Sequence, residues 1–260
     1  GGNAGVGKAA AIELVRRGAQ VVITARDSAK GEAAEASIRE EVPDGGGSIS
    51  WRLLDLASFA SIRDFAARFE KDVPALHVLV HNAGLMLSKR QETEDGIEAT
   101  FGTNHIGPFL LNQLLEPLLR RSAPARVVVV ASSAHQRVPG GLDFDDLQSE
   151  KHYAWFQAYS FSKLANMLFL LELQRRLTQG GSTLRVTGAH PGSTATAITA
   201  SSGRGFFSWL GSWGHQLVGM PAWRGALPTL YAATMDVPGN SYIGPHGPGE
   251  FLGWPTMVGR

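Results

Sequence analysis

A chain of 260 residues, 43% hydrophobic and 18% charged, suits one large globular domain or two small ones with a sizeable core, and we read one. A formal net charge of +1 provides no basic excess to draw nucleic acid, and the absence of cysteine excludes disulfides, thiol nucleophiles and cysteine metal sites. No apolar stretch reaches the ~18–20 residues of a membrane span and no leader pattern opens the chain, so the expectation is a soluble protein with the cytoplasm as its default compartment.

Gly1-Gly2-Asn3-Ala4-Gly5-Val6-Gly7-Lys8 runs straight into an alanine-rich stretch, residues 9–17, that closes at Gly18. Glycines at 1, 5 and 7 before a helix let the backbone turn tightly and approach a pyrophosphate, whose charge rests on the helix N-terminus. The strand that feeds such a loop is central in a doubly wound sheet and does not precede Gly1, so we expect residues upstream that form it. Residues 19–25 form a short β-branched run, residues 28–41 an alanine- and glutamate-rich helix ended by Pro43, and residues 49–54 a strand followed by Asp55. Residues 58–69 make an amphipathic helix, and residues 76–80 a buried strand ending in His81-Asn82-Ala83-Gly84. Residues 96–119 are helical in period with Asn104 inside, and residues 126–131 form a strand followed by Ser132-Ser133. A polar loop, 136–152, precedes a long apolar-periodic helix carrying Tyr159 and Lys163, and residues 184–189 lead as a strand into His190-Pro191-Gly192. Strand and helix alternate with short connections, which predicts a single doubly wound Rossmann-type α/β domain, residues 1–260, its parallel sheet flanked by helices on both faces.

Tyr159 and Lys163 stand four residues apart on one helix face, about 6 Å along the axis. An ammonium ~5 Å away at an effective dielectric of about 20 favours the phenolate by roughly 3 kcal/mol, or about two pKa units below the ordinary value near 10. Such a tyrosine exchanges protons with an alcohol or carbonyl near pH 7–8. The marked residues Gly5, Asp55, Asn82, Ser133 and Pro191 fall outside the carboxyl ends of the strands, where ligands sit in open α/β sheets. No carboxylate–histidine cluster suggests a metal.

Through Gly1-x-x-x-Gly5-x-Gly7, Asn82-Ala83-Gly84, Asn104, Ser133, Tyr159-x-x-x-Lys163 and Pro191-Gly192, nearly the whole chain resembles the short-chain dehydrogenase/reductase family. It is most similar to the retinol-dehydrogenase-like branch, through Asn104-His105-Ile106-Gly107, the long insert before Tyr159 and Ser162-Lys163-Leu164-Ala165-Asn166. Its carboxyl end, with Gly225-Ala226-Leu227-Pro228-Thr229-Leu230-Tyr231 and Gly244-Pro245, resembles bacterial members. His81 departs from the asparagine common in the family.

The resemblance implies an oxidoreductase interconverting an alcohol and a carbonyl with a nicotinamide cofactor. Tyr159 is the implied acid or base, and Ser133 the hydrogen-bond partner of the substrate oxygen. Lys163 perturbs Tyr159 and holds the nicotinamide ribose, and Asn104 anchors a water linking Lys163 to solvent. The implied cofactor set is Gly1, Asn3, Gly5, Val6, Gly7, Arg26, Asp55, Leu56, Asn82, Ala83, Gly84, Tyr159, Lys163, Pro191, Gly192 and Thr196. Of the serines at 132 and 133 we choose the second, by motif register. NADP(H) is expected over NAD(H), because the position after the second strand is Ala25, with Arg26 next, where NAD-binding members place an acid. At residues 203–220 the family has its substrate-covering segment, running at about 194–221 here. The aromatics Phe206, Phe207, Trp209 and Trp213 suggest a bulky apolar substrate. A homo-oligomer is compatible with this reading, and peripheral membrane contact is the less favoured alternative. The rival from another class is a non-catalytic dinucleotide-binding regulator or scaffold on the same fold.

Overall fold

The structure is a computed structural model that describes residues 1–44, 46–193 and 220–259. Thr196 and the expected substrate-covering segment, up to residue 219, lie outside the described residues.

Seven strands lie among the described residues: β1 (Gln20–Ala25), β2 (Ser48–Leu53), β3 (Val78–His81), β4 (Arg126–Val130), β5 (Arg185–Ala189), β6 (Tyr242–Pro245) and β7 (Pro255–Met257). The helices are α1 (Gly5–Arg16), α2 (Ser28–Glu41), α3 (Phe59–Asp72), the single turn α4 (Ala99–Phe101), α5 (Gly107–Arg121), α6 (Trp155–Gln179) and α7 (Ala222–Thr234). Strands β3-β4-β5-β6-β7 form one sheet, parallel until β7, which pairs antiparallel with β6 from Ile243↔Met257 to Pro245↔Pro255. That edge departs from the all-parallel expectation, because β7 follows β6 through a short return instead of a helical crossover. Strands β1 and β2 pair in parallel as a separate two-stranded sheet, in register from Gln20↔Ser48 to Ala25↔Leu53.

The glycine loop spans the space between the ends of the two sheets. Gly2 donates its N–H to Thr24 O at 3.4 Å, while Asn82 Nδ2 donates to Gly1 O at 2.6 Å. Close approach demands glycine there: a Cβ on Gly7 would lie 2.3 Å from Gly1 O and 2.5 Å from Asn82 Nδ2.

Helices cover both faces, which explains why β4 is an unbroken valine run rather than an alternating strand. Val127 and Val129 pack with Leu119 of α5 and Leu170, Leu173 and Leu177 of α6, whereas Val128 turns to Ala232 and Ala233 of α7. On the other sheet Ile23 and Ile49 pack against Ile12 and Val15 of α1 and Ile38 of α2. Helix starts follow side-chain chemistry: Asp27 accepts from Lys30 N at 2.9 Å to begin α2, and Ser58 from Ser61 N at 3.2 Å to begin α3.

The expected helix over 96–119 is broken at its start. Gly96, at φ +75°, closes a turn by donating to Thr93 O, and the Glu98 carboxylate accepts from Thr100 N and Phe101 N to open α4. A π turn, Gly102–Ile106, comes next, closed by the Gly107 N–H on Gly102 O, and only then does regular helix run to Arg121. Of the marked residues, Asp55, Asn82, Ser133 and Pro191 follow the carboxyl ends of β2, β3, β4 and β5, and Gly5 opens α1.

Candidate active site

Helix α6 begins after Ala154, whose extended backbone turns the chain off the polar loop. One face presents Tyr159 and Lys163, with Lys163 Nζ 5.6 Å from the centre of the Tyr159 ring. Lys163 is 2% exposed and donates to the carbonyl of Val130, the last residue of β4, at 3.0 Å. Burial penalises its charge and draws its pKa down to about 8. Burial also acts on Tyr159, pushing the phenol above its ordinary value, while hydrogen bonding from Ser132 pulls the other way.

This corrects the expectation that Lys163 brings Tyr159 down toward neutrality. The ammonium stands over the ring and is turned to a backbone carbonyl, and removing the phenolate from water is the larger effect.

Asn104, 1% exposed, sits in the π turn. Its amide clasps the backbone of Leu85: Oδ1 accepts from Leu85 N at 2.8 Å and Nδ2 donates to Leu85 O at 2.9 Å, with a further bond from Nδ2 to Ser162 Oγ at 3.0 Å. A Cβ placed on Gly84 would stand 3.4 Å from Asn104 Oδ1 and 3.5 Å from Lys163 Nζ, ordinary contact distances that mark Gly84 as the point both groups approach. Sequence reasoning did not find Ser162 and Asn166 as neighbours of Asn104. The available signal was a second pair of polar side chains four apart on α6, one offset by three residues from Tyr159–Lys163.

After β4 the chain turns through Ser132 into the 3-10 segment Ser133–Arg137. Ser132 is the cap, its Oγ accepting from Ala134 N at 3.2 Å, and it is the serine that bears on Tyr159. Ser133, the residue expected from motif register, comes next and its hydroxyl has no partner among the described residues. The two serines therefore stand in different positions rather than competing for one.

The residues expected to hold a dinucleotide surround the glycine loop. Helix α1 starts at Gly5, φ +56°, after Ala4, with no capping side chain and no acid in its first turn. Its leading amides, on Gly5, Val6 and Gly7, suit an anion. Gly1 packs on Ala83 and Asn3 lies within the loop. At the end of β1 the Arg26 guanidinium is exposed and has no partner among the described residues, whereas the neighbouring Asp27 carboxylate is occupied in capping α2. Asp55 accepts from Ala57 N at 2.9 Å, leaving the capping of α3 to Ser58. The Leu56 carbonyl lies where a Cβ on Gly107 would come within 2.2 Å, which fixes this loop against the start of α5. Pro191 and Gly192 follow β5, with Gly192 at φ +65° beneath the carbonyl of Phe251. The donor set and the glycine cradle fit a dinucleotide. Among the described residues no group of histidine and carboxylate side chains is arranged to hold a metal ion, and no helix is long and apolar enough to cross a membrane.

Comparison with known proteins adds to this geometry. The short chain dehydrogenase family profile matches residues 1–143. Retinol dehydrogenase 12 of Mus musculus is 46% identical over 202 residues, covering 78% of this chain and 62% of that protein, so the chain spans about three fifths of that relative. A solved structure of a protein from Mycobacterium Paratuberculosis has a TM-score of 0.78 at 41% identity, covering 100% of this chain and 83% of that one. The active-site complex of Pseudomonas aeruginosa RhlG with NADP has a TM-score of 0.69 at 26% identity, covering 92% and 90%.

The buried lysine has a measurable consequence for stability. With a folded pKa of about 8 against 10.5 for an ordinary lysine, the unfolded chain binds the extra proton between those values, so this residue's contribution makes stability rise with pH from about 8 upward. Below pH 8 the folded state carries a buried charge. Lys163→Met should therefore stabilise the fold at pH 7 by roughly 1–3 kcal/mol and flatten the rise between pH 8 and 10, as read by urea unfolding. A loss of stability at pH 7 would contradict this effect of burial.

Proposed function

The chain belongs to the short-chain dehydrogenase/reductase family, and on that premise we propose that it transfers a hydride between NADP(H) and an alcohol or carbonyl on a bulky apolar substrate. The observation that carries the proposal is the Tyr159 phenol one helical turn from the buried Lys163, whose ammonium is bonded to the last carbonyl of β4. A binding module has no use for a proton donor in that position.

A dinucleotide held with its pyrophosphate at the glycine loop would supply or accept the hydride through its nicotinamide. In reduction Tyr159 donates its proton to the carbonyl oxygen as the alcohol forms, and Ser133, whose hydroxyl has no partner among the described residues, hydrogen-bonds that oxygen. Ser132 holds the phenol. Lys163 uses one of its three protons on Val130 O and keeps two for the ribose hydroxyls and for Asn104. Asn104 thus closes a polar path from Lys163 through the π turn.

Support for NADP(H) comes from Arg26, whose planar guanidinium suits a 2′-phosphate, and from Ala25, which offers no competing carboxylate. Beside the start of α6 lies an open groove of about 790 Å³ whose lining is mixed, with Leu142, Phe144, Phe156 and Phe161 alongside Arg137, Asp143, Asp145 and Gln157. Support for an apolar substrate comes from the retinol dehydrogenase resemblance.

Following NADPH absorbance against a panel of aldehydes and ketones tests the activity; consumption no faster than in cofactor-only controls would contradict it. Tyr159→Phe should lower turnover by about 10²–10⁴ with cofactor affinity nearly unchanged. Arg26→Ala should erode the NADP-over-NAD ratio in kcat/KM by about ten- to a hundredfold, the worth of one charge-assisted pair. A ratio that does not move would remove Arg26 from phosphate recognition.

A further inference from the structure

The π turn that carries Asn104 is an unusual stretch of backbone, and its stability has a specific source. An α-helix through Asn104 would satisfy its carbonyl with the N–H of residue 108, but residue 108 is proline and has none. The carbonyl is instead met from α6: Asn166 Nδ2 donates to Asn104 O at 3.1 Å. The other end of the same amide, Asn166 Oδ1, lies 3.0 Å from His105 Nδ1, so one side chain grips two consecutive residues of the turn. Asn166 is 4% exposed and Ser162 is fully buried. Ser162 Oγ completes the attachment, accepting from Asn104 Nδ2 and donating to Tyr159 O at 2.7 Å.

We propose that Asn166 is a positioning residue for Asn104: by supplying the donor that Pro108 lacks and holding His105, it locks the π turn and keeps the Asn104 amide on the backbone of Leu85, next to Gly84 where Lys163 also approaches. Without that grip the turn can rewind toward α geometry. Dropping one residue of winding rotates the two flanking helical segments relative to each other by about 100°, enough to carry the Asn104 amide off Leu85 and away from Lys163. Asn166 touches neither Tyr159 nor Lys163 in any hydrogen bond, so its effect passes through Asn104. The inference rests on the proposed role of Asn104 in turnover.

A double-mutant cycle tests it, with NADPH-dependent carbonyl reduction as the activity. Asn166→Asp keeps the shape and the acceptor toward His105 but removes the donor, and Asn166→Ala removes both. Each should lower kcat by about tenfold with KM changed less than about twofold. Adding Asn166→Ala to Asn104→Ala should change kcat by less than about twofold, because the residue through which it acts is gone. Full multiplication of the two losses, or wild-type kcat in Asn166→Asp, would overturn the proposal. Exchange of the Gly107 amide reads the turn independently of activity and should quicken about tenfold in Asn166→Asp. Full turnover in Asn104→Ala would sink the role of Asn104 alone, and the lock is then decided by that exchange rate, which if unchanged refutes it.

Discussion

The Lys163 ammonium is withdrawn from water at the end of β4, one helical turn from the Tyr159 phenol, and the surrounding structure is built around that withdrawal. Lys163 is anchored to the Val130 carbonyl, which requires β4 to end beside α6, and the valine run that packs β4 between two helical layers puts it there. Both the ammonium and the Asn104 amide approach Gly84, and the π turn brings Asn104 there. The same low-polarity setting that depresses the pKa of Lys163 raises that of Tyr159.

Much of this was legible in the sequence because it depends on periodicity and on glycine. Alternating strands and helices, the loop of Gly1, Gly5 and Gly7, the buried run of β4 and the four-residue spacing of Tyr159 and Lys163 all appear where local pattern places them. The sign of the Tyr159 shift was not legible. Spacing fixes how near a charge stands, whereas desolvation depends on what the folded chain stacks around it. The π turn was equally hidden, since residues 96–119 have helical periodicity throughout, and the break comes from Gly96, from the Glu98 cap and from long-range bonds to Leu85 and Asn166. Ser132 and Ser133 could not be separated by register alone, because their positions depend on which of them caps the 3-10 segment. The antiparallel β7 escaped because Pro255–Met257 is too short to carry a pattern.

The cofactor side and the chemical side meet at the ends of β1 and β3. Asn82 and Thr24 hold the first two residues of the glycine loop, so the loop that suits a pyrophosphate is tied to the segment that runs on to Gly84 and Leu85 and there into the grasp of Asn104. Recognition of the dinucleotide and placement of the proton-handling groups therefore share one stretch of backbone, residues 82–85. The arrangement gives a physical reason for the succession of Asn82, Ala83 and Gly84, each small or hydrogen-bonded where another chain segment comes close.

The central claim, that burial keeps Tyr159 protonated despite Lys163, is tested most directly by titrating that one phenol. Phenolate absorbance would be followed with pH in the wild type and in Tyr159→Phe, and the difference assigned to Tyr159. The account predicts that the difference develops only above the ordinary tyrosine value of 10, with the folded state intact. A phenolate appearing below pH 8 would show that Lys163 outweighs burial, and would contradict it.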